Sequence, residues 1–156
     1  MTWQNWAERL RRGRWLLVVA FVATGTALGG CARSVHHGGD SSRSINVVMQ
    51  NFKIDIPRVI HAGRVRFVVR NSGPTMHEFN VVRTSLAAVD LPKNADGTVA
   101  DADPHPGFKH LGEVEGIDIG QRKVLTVTLL PGDYVVYCNM DGHYEVGMAA
   151  KVTVIA

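Results

Sequence analysis

No Gly-x-Ser-x-Gly elbow and no phosphate-binding glycine loop occurs in the 156 residues, so serine-hydrolase and nucleotide chemistry have no motif to rest on. The apolar run from Trp15 to Leu28 is shorter than the roughly 20 residues that span a bilayer, which argues against a permanent membrane helix. No long helical period competes with the short alternating runs that fill the later chain. Basic charge is scarce where it would matter. The formal net charge is +3, but Arg9, Arg11, Arg12 and Arg14 carry four of the 17 positive residues and Glu8 one of the 14 negative, leaving 13 of each from Cys31 onward. The basicity belongs to the first segment, and a nucleic-acid footprint on the folded domain has no support. Cysteine is rare too: Cys31 and Cys138 are the only two, and each falls in a stretch with its own chemistry.

The first stretch is an export signal in form. Residues 9–14 make a basic start, residues 15–28 an apolar middle, and Leu28-Gly29-Gly30-Cys31 a small-residue end. That end resembles a bacterial lipoprotein box, in which cleavage precedes a cysteine whose sulfur is lipidated. Residues 1–30 would then be a lipoprotein-type signal peptide and Cys31 an anchor, held stably because such lipoproteins carry several acyl chains. The alternative is an ordinary cleavage site with Cys31 as the first small residue after it. Arg11-Arg12 leaves the export route open, because Arg14 stands where a twin-arginine signal usually has an apolar residue. Residues 31–44, rich in Ser, Gly and His, suit a flexible tether, and His36 and His37 read as solvated linker residues.

The 112 residues that remain of 156 after Ser44 are enough for one sandwich core and need no second domain. Residues 45–49, 52–56, 65–70, 79–82, 123–129, 134–137 and 150–155 are β-branched or alternating runs separated by turn residues such as Gly63, Gly73, Pro131 and Gly132. They predict an all-β, antiparallel, two-sheet Greek-key sandwich over residues 45–156. Between Thr84 and Arg122 the alternation lapses, which predicts a long insertion with a short helix near residues 84–89 that either covers a site or meets a partner. Asp96, Asp101 and Asp103 lack the spacing of a calcium loop and read as turn residues. His105 and His110 are not expected to form a second metal site, because no thiolate or ligand-spaced cluster accompanies them in sequence.

Chemistry concentrates in Cys138-Asn-Met-Asp-Gly-His143-Tyr-Glu-Val-Gly-Met148, where a thiolate, an imidazole and a thioether fall between two strand-like runs. Thiolate and thioether match Cu(I), while imidazole keeps Cu(II) bound as well, so the set points to copper. One cysteine, two histidines and a distant methionine is the donor set of an electron-transfer copper centre, and His77 is the best candidate for the second histidine. It follows a turn rich in Asn, Gly and Pro, Asn71-Ser-Gly73-Pro-Thr-Met-His77, and opens a strand. Asp141-Gly142 supplies a tight turn, and Gly147 lets the backbone bend before Met148.

From about Ile45 to Ala156 the chain resembles the cupredoxin, or blue copper, family and is most similar to its plastocyanin-, azurin- and rusticyanin-type members. Asn51-Phe-Lys-Ile54, Ala62-Gly63, His77-Glu-Phe79 and Tyr137-Cys138 carry the resemblance beside the ligand order. It implies one mononuclear copper, with Cys138, His77 and His143 in a trigonal plane and Met148 as a long axial ligand. Glu78 stands where several members have a bracing asparagine. The resemblance also implies an apolar collar around an exposed histidine edge, drawn here from Pro74, Met76, Met140, Tyr144 and Val146, and a monomer that meets a redox donor and acceptor.

The function so implied is a one-electron carrier, not an enzyme, held by lipid on Cys31 at the outer face of a bacterial cytoplasmic membrane, periplasmic or at the cell surface. A second reading is copper delivery without redox turnover, which would favour a more open site. Catalysis at an open copper position is disfavoured because Met148 takes the place a substrate would need. Cysteine-hydrolase chemistry is disfavoured because Cys138 lacks a helix-start environment.

Overall fold

The computed structural model describes residues 42–100 and 106–156. The export segment, Cys31, His36, His37, Asp101, Asp103 and His105 lie outside the described residues.

Among the described residues there are nine strands: β1 (Arg43–Gln50), β2 (Lys53–Asp55), β3 (Val59–His61), β4 (Gly63–Asn71), β5 (His77–Thr84), β6 (Phe108–Ile117), β7 (Arg122–Leu129), β8 (Gly132–Tyr137) and β9 (Ala149–Ile155). They form a four-stranded sheet in the order β2-β1-β4-β7 and a five-stranded sheet in the order β3-β9-β8-β5-β6. The two-sheet, all-β expectation holds, but the sheets are mixed where antiparallel sheets were expected. β1 pairs with β4 and β3 with β9 in parallel. Period-2 alternation specifies which face a residue takes and not the direction of its neighbour, so the parallel pairs leave no mark in the sequence.

Alternation builds the core. Val65, Phe67 and Val69 of β4 and Ala150, Val152 and Val154 of β9 turn inward, joined by Val47, Met49, Phe79, Val81, Tyr134 and Val136. β5 and β8 are buried on both faces. Their opposite face carries a second cluster, in which Val82, Val135 and Tyr137 meet Leu91, Val99, Phe108 and Tyr144. The segment read as an insertion therefore covers one sheet and contributes β6 to its edge. The helix expected near residues 84–89 is absent: Thr84 ends β5, and bend and turn follow it. Among the described residues no helix is long and apolar enough to cross a membrane.

Candidate metal centre

Two connections at one end of the sandwich supply the chemistry. The first is the β4–β5 turn, organised by the buried side chain of Asn71. Its amide donates to the carbonyls of Thr75 (2.7 Å) and Ile117 (2.8 Å), and its oxygen accepts from the Gly73 N–H at 2.9 Å. This side-chain turn fixes the backbone that enters β5 and delivers His77, which is fully buried. Gly73 is needed for space: a Cβ there would lie 3.0 Å from both His77 Nε2 and the Asn51 backbone nitrogen.

The second is the β8–β9 loop. The Cys138 N–H donates to the Met148 carbonyl at 3.1 Å and the Met148 N–H to the His143 carbonyl at 3.0 Å, so the backbones of all three residues are tied together. Gly147 has φ 91°, a bend that a side chain would strain. Cys138 and Met148 are fully buried, and His143 is half-buried.

His77, Cys138 and His143 converge. Cys138 Sγ lies 3.3 Å from His143 Nδ1 and 3.8 Å from His77 Nδ1, and the two Nδ1 atoms are 3.4 Å apart. An ion with arms of about 2.0 Å to nitrogen and 2.3 Å to sulfur, at about 120°, would set its N···N distance near 3.5 Å and its S···N distances near 3.7 Å. The three donors could hold such an ion without moving far. Coordination through Nδ1 places the remaining ring proton of His77 on Nε2, which is buried with no hydrogen-bond partner.

Burial shapes the protonation of these groups. Desolvation lowers the His77 pKa, helped by the neighbouring His143, and desolvation also lowers that of His143. Both rings are thus kept neutral, as a metal requires. Burial pushes the Cys138 thiol up, partly opposed by backbone hydrogen bonds from Glu78 and Met140 and reinforced by the Glu78 charge. A metal entering here displaces that proton.

Glu78 meets Cys138 through its backbone. Its backbone N–H reaches Cys138 Sγ at 3.3 Å, a contact any residue in that conformation provides. Its carboxylate accepts from Asn80 at 3.2 Å and clusters with Glu113 and Glu115. His110 meets Asn80 Oδ1 at 3.3 Å and Glu113 at 3.6 Å. Asp96 is a turn residue, accepting from the Thr98 N–H and hydroxyl, which hold its carboxyl below the usual range.

The insertion grips the second loop. The hydroxyl of Tyr144 accepts from the Leu91 N–H at 2.8 Å and donates to the Ala88 carbonyl at 3.0 Å. The side chain of Asn139 accepts from the Val99 N–H at 2.7 Å and donates to the Val99 carbonyl at 3.3 Å. Gly97 lies so close to Glu145 that a Cβ there would collide with its carboxylate.

No family model and no curated protein sequence matches the chain. Solved structures do. Dithionite-reduced auracyanin from Roseiflexus castenholzii is 20% identical, covering 74% of this chain and 98% of its own, with a TM-score of 0.55. Auracyanin A, a "blue" copper protein from Chloroflexus aurantiacus, is 20% identical over 73% of this chain and 99% of its own, with a TM-score of 0.54. Rusticyanin from Thiobacillus ferrooxidans is 16% identical over 74% and 79%, with a TM-score of 0.51. The chain has the cupredoxin fold.

Within that cupredoxin fold, three of the four expected metal-binding residues meet side chain to side chain, and Met148 is held beside them through its backbone. The expected collar needs revision. Met76 (41% exposed) and Val146 (59%) are on the surface, but Tyr144 is buried at 4%, its hydroxyl spent on the insertion. Phe52, 47% exposed and edge-on to His143, was missing from the expected set because the pattern placed it in a strand; it occupies the turn before β2. Asn139 was also missed, since a lone asparagine in a loop carries no sequence signal of its partner.

Proposed function

We propose that the domain is a blue-copper one-electron carrier that cycles between Cu(II) and Cu(I), with His77, Cys138, His143 and Met148 as the ligands of a single ion. The observation that carries this reading is the convergence of one thiol and two Nδ1 atoms within 3.3–3.8 Å beside a fully buried methionine. Copper bound there would accept and return one electron. The protein's part is to keep both imidazoles neutral, exclude water from the thiolate by burial, and hold the donors so that little moves between oxidation states. The Glu78 N–H, pointed at Sγ, stabilises negative charge on sulfur.

The half-buried His143, with the exposed Phe52 against its ring and the exposed Met76 and Val146 close in sequence to His77 and His143, would be the route by which a docked redox donor or acceptor exchanges electrons. With Met148 as the fourth ligand, no position would be left open for a substrate, which favours a carrier over an enzyme. The export-signal pattern and the Leu28-Gly-Gly-Cys31 box support attachment by lipid on Cys31, with residues 31–44 as a tether and residues 45–156 as the domain, at the outer face of the cytoplasmic membrane.

Repeated reduction by ascorbate and reoxidation, with copper content measured after each cycle, tests the carrier reading. Retention of one equivalent through many cycles is expected. Loss of Cu(I) to a competing thiol within the first cycles would shift the assignment to copper delivery.

A further inference from the structure

Phe52 is the only residue other than glycine with a positive φ, 59°, among those described. It occupies the second position of the two-residue turn Asn51-Phe52, closed by the pairing of Gln50 with Lys53. Glycine and asparagine take that conformation readily, and a phenylalanine is strained in it. Burial does not explain the choice, because the side chain is 47% exposed. What the conformation achieves is aim. The ring meets the imidazole of His143 edge to face, centroids 5.5 Å apart and planes at 85°, an attractive geometry for two aromatic rings. The same imidazole packs against His77 at 5.2 Å.

A strained backbone retained at an exposed position, with its side chain laid on a half-buried metal-binding group, is an outlier that calls for a functional reason. We propose that Phe52 is a positioning residue for His143: its ring braces the imidazole with Nδ1 turned toward Cys138 Sγ and His77 Nδ1, and shields it from small external ligands. The proposal rests on the metal-site reading for its consequence, while the bracing itself belongs to the metal-free fold. His143 comes from a loop and His77 from a strand, so the half-buried member of the pair is the one that needs an external brace.

The test uses Phe52→Asn, which suits the backbone and removes the ring, and Phe52→Tyr, which keeps the ring. A merely structural Phe52 would move stability and site behaviour together, whereas a brace held in strain separates them. In the asparagine variant the metal-free protein should unfold at the same or a higher temperature. Removal of copper by a chelator should nonetheless accelerate roughly two- to tenfold, the range expected for loss of one aromatic pair. Imidazole resonances of His143 in the metal-free protein should broaden or average in Phe52→Asn and return to wild-type character in Phe52→Tyr. Unchanged His143 resonances in Phe52→Asn would overturn the proposal. So would an unchanged chelation rate in a protein that binds copper. If the wild-type chain binds no copper, the metal-site reading fails, and the resonances of the metal-free protein still decide whether Phe52 braces His143.

Discussion

Replacing the Cys138 sulfur by a hydroxyl removes one donor and leaves the shape of the loop nearly unchanged, which makes it the sharpest substitution at the centre. Cys138→Ser should abolish the intense thiolate-to-Cu(II) charge-transfer absorption. Met148→Leu should keep the colour and raise the reduction potential, because loss of a fourth donor costs Cu(II), which needs more electron donation, more than it costs Cu(I). Visible spectra and redox titration of the two variants check both. Protonation gives a second test at this scale. The folded His77 and His143 have pKa values below the 6.5 of an unperturbed histidine, so below pH 6.5 the unfolded chain takes up protons that the fold refuses. Unfolding therefore becomes easier as pH falls below that value, and this contribution is flat above about pH 7. Urea unfolding of the metal-free protein at pH 7.5 and pH 5.5 should show lower stability at the acid value; equal stability would contradict the assigned burial.

Residues 85–100 are an outer support for the β8–β9 loop. Tyr144→Phe removes the acceptor of the buried Leu91 N–H and the donor to Ala88, and an orphaned buried donor costs about 1–3 kcal/mol. Thermal unfolding should register that loss, and amide exchange should quicken at Leu91 and along the Cys138–Met148 loop while the β1–β4 pair stays protected. Loss of protection in β1–β4 to the same degree would place the effect in the whole domain. This support could not be read in advance. β6 is interrupted by Gly112 and Gly116, both at positive φ, and its pairing with β5 shifts register, so the alternation that betrayed β4 and β7 is broken there. Asn71-Ser-Gly73-Pro could be read, because a turn's chemistry is local. Phe52 could not: an apolar residue beside Lys53 and Ile54 looks like the start of a strand, and only the pairing of Gln50 with Lys53 puts it in the turn.

At the scale of the molecule, an ion held by His77 and the β8–β9 loop would join β5 to the β8–β9 connection and bind the folded chain better than the unfolded one. Saturation to a thousand times the dissociation constant should add about 4 kcal/mol of stability, and removal of copper should lower Tm correspondingly. The two-sheet architecture was legible because strands alternate, and the candidate donors stood out because a loop between two strands confines three of them to one end of a sandwich. The convergence of His77 with that loop depends on sheet order, which no local pattern encodes. The most direct test is titration of the chain from Ala32 onward with Cu(II), followed by visible absorption and electron paramagnetic resonance. One equivalent should give an intensely blue species that ascorbate bleaches and oxidant restores. A colourless or weakly bound ion would contradict the assignment of Cys138, His77 and His143 to a redox copper centre.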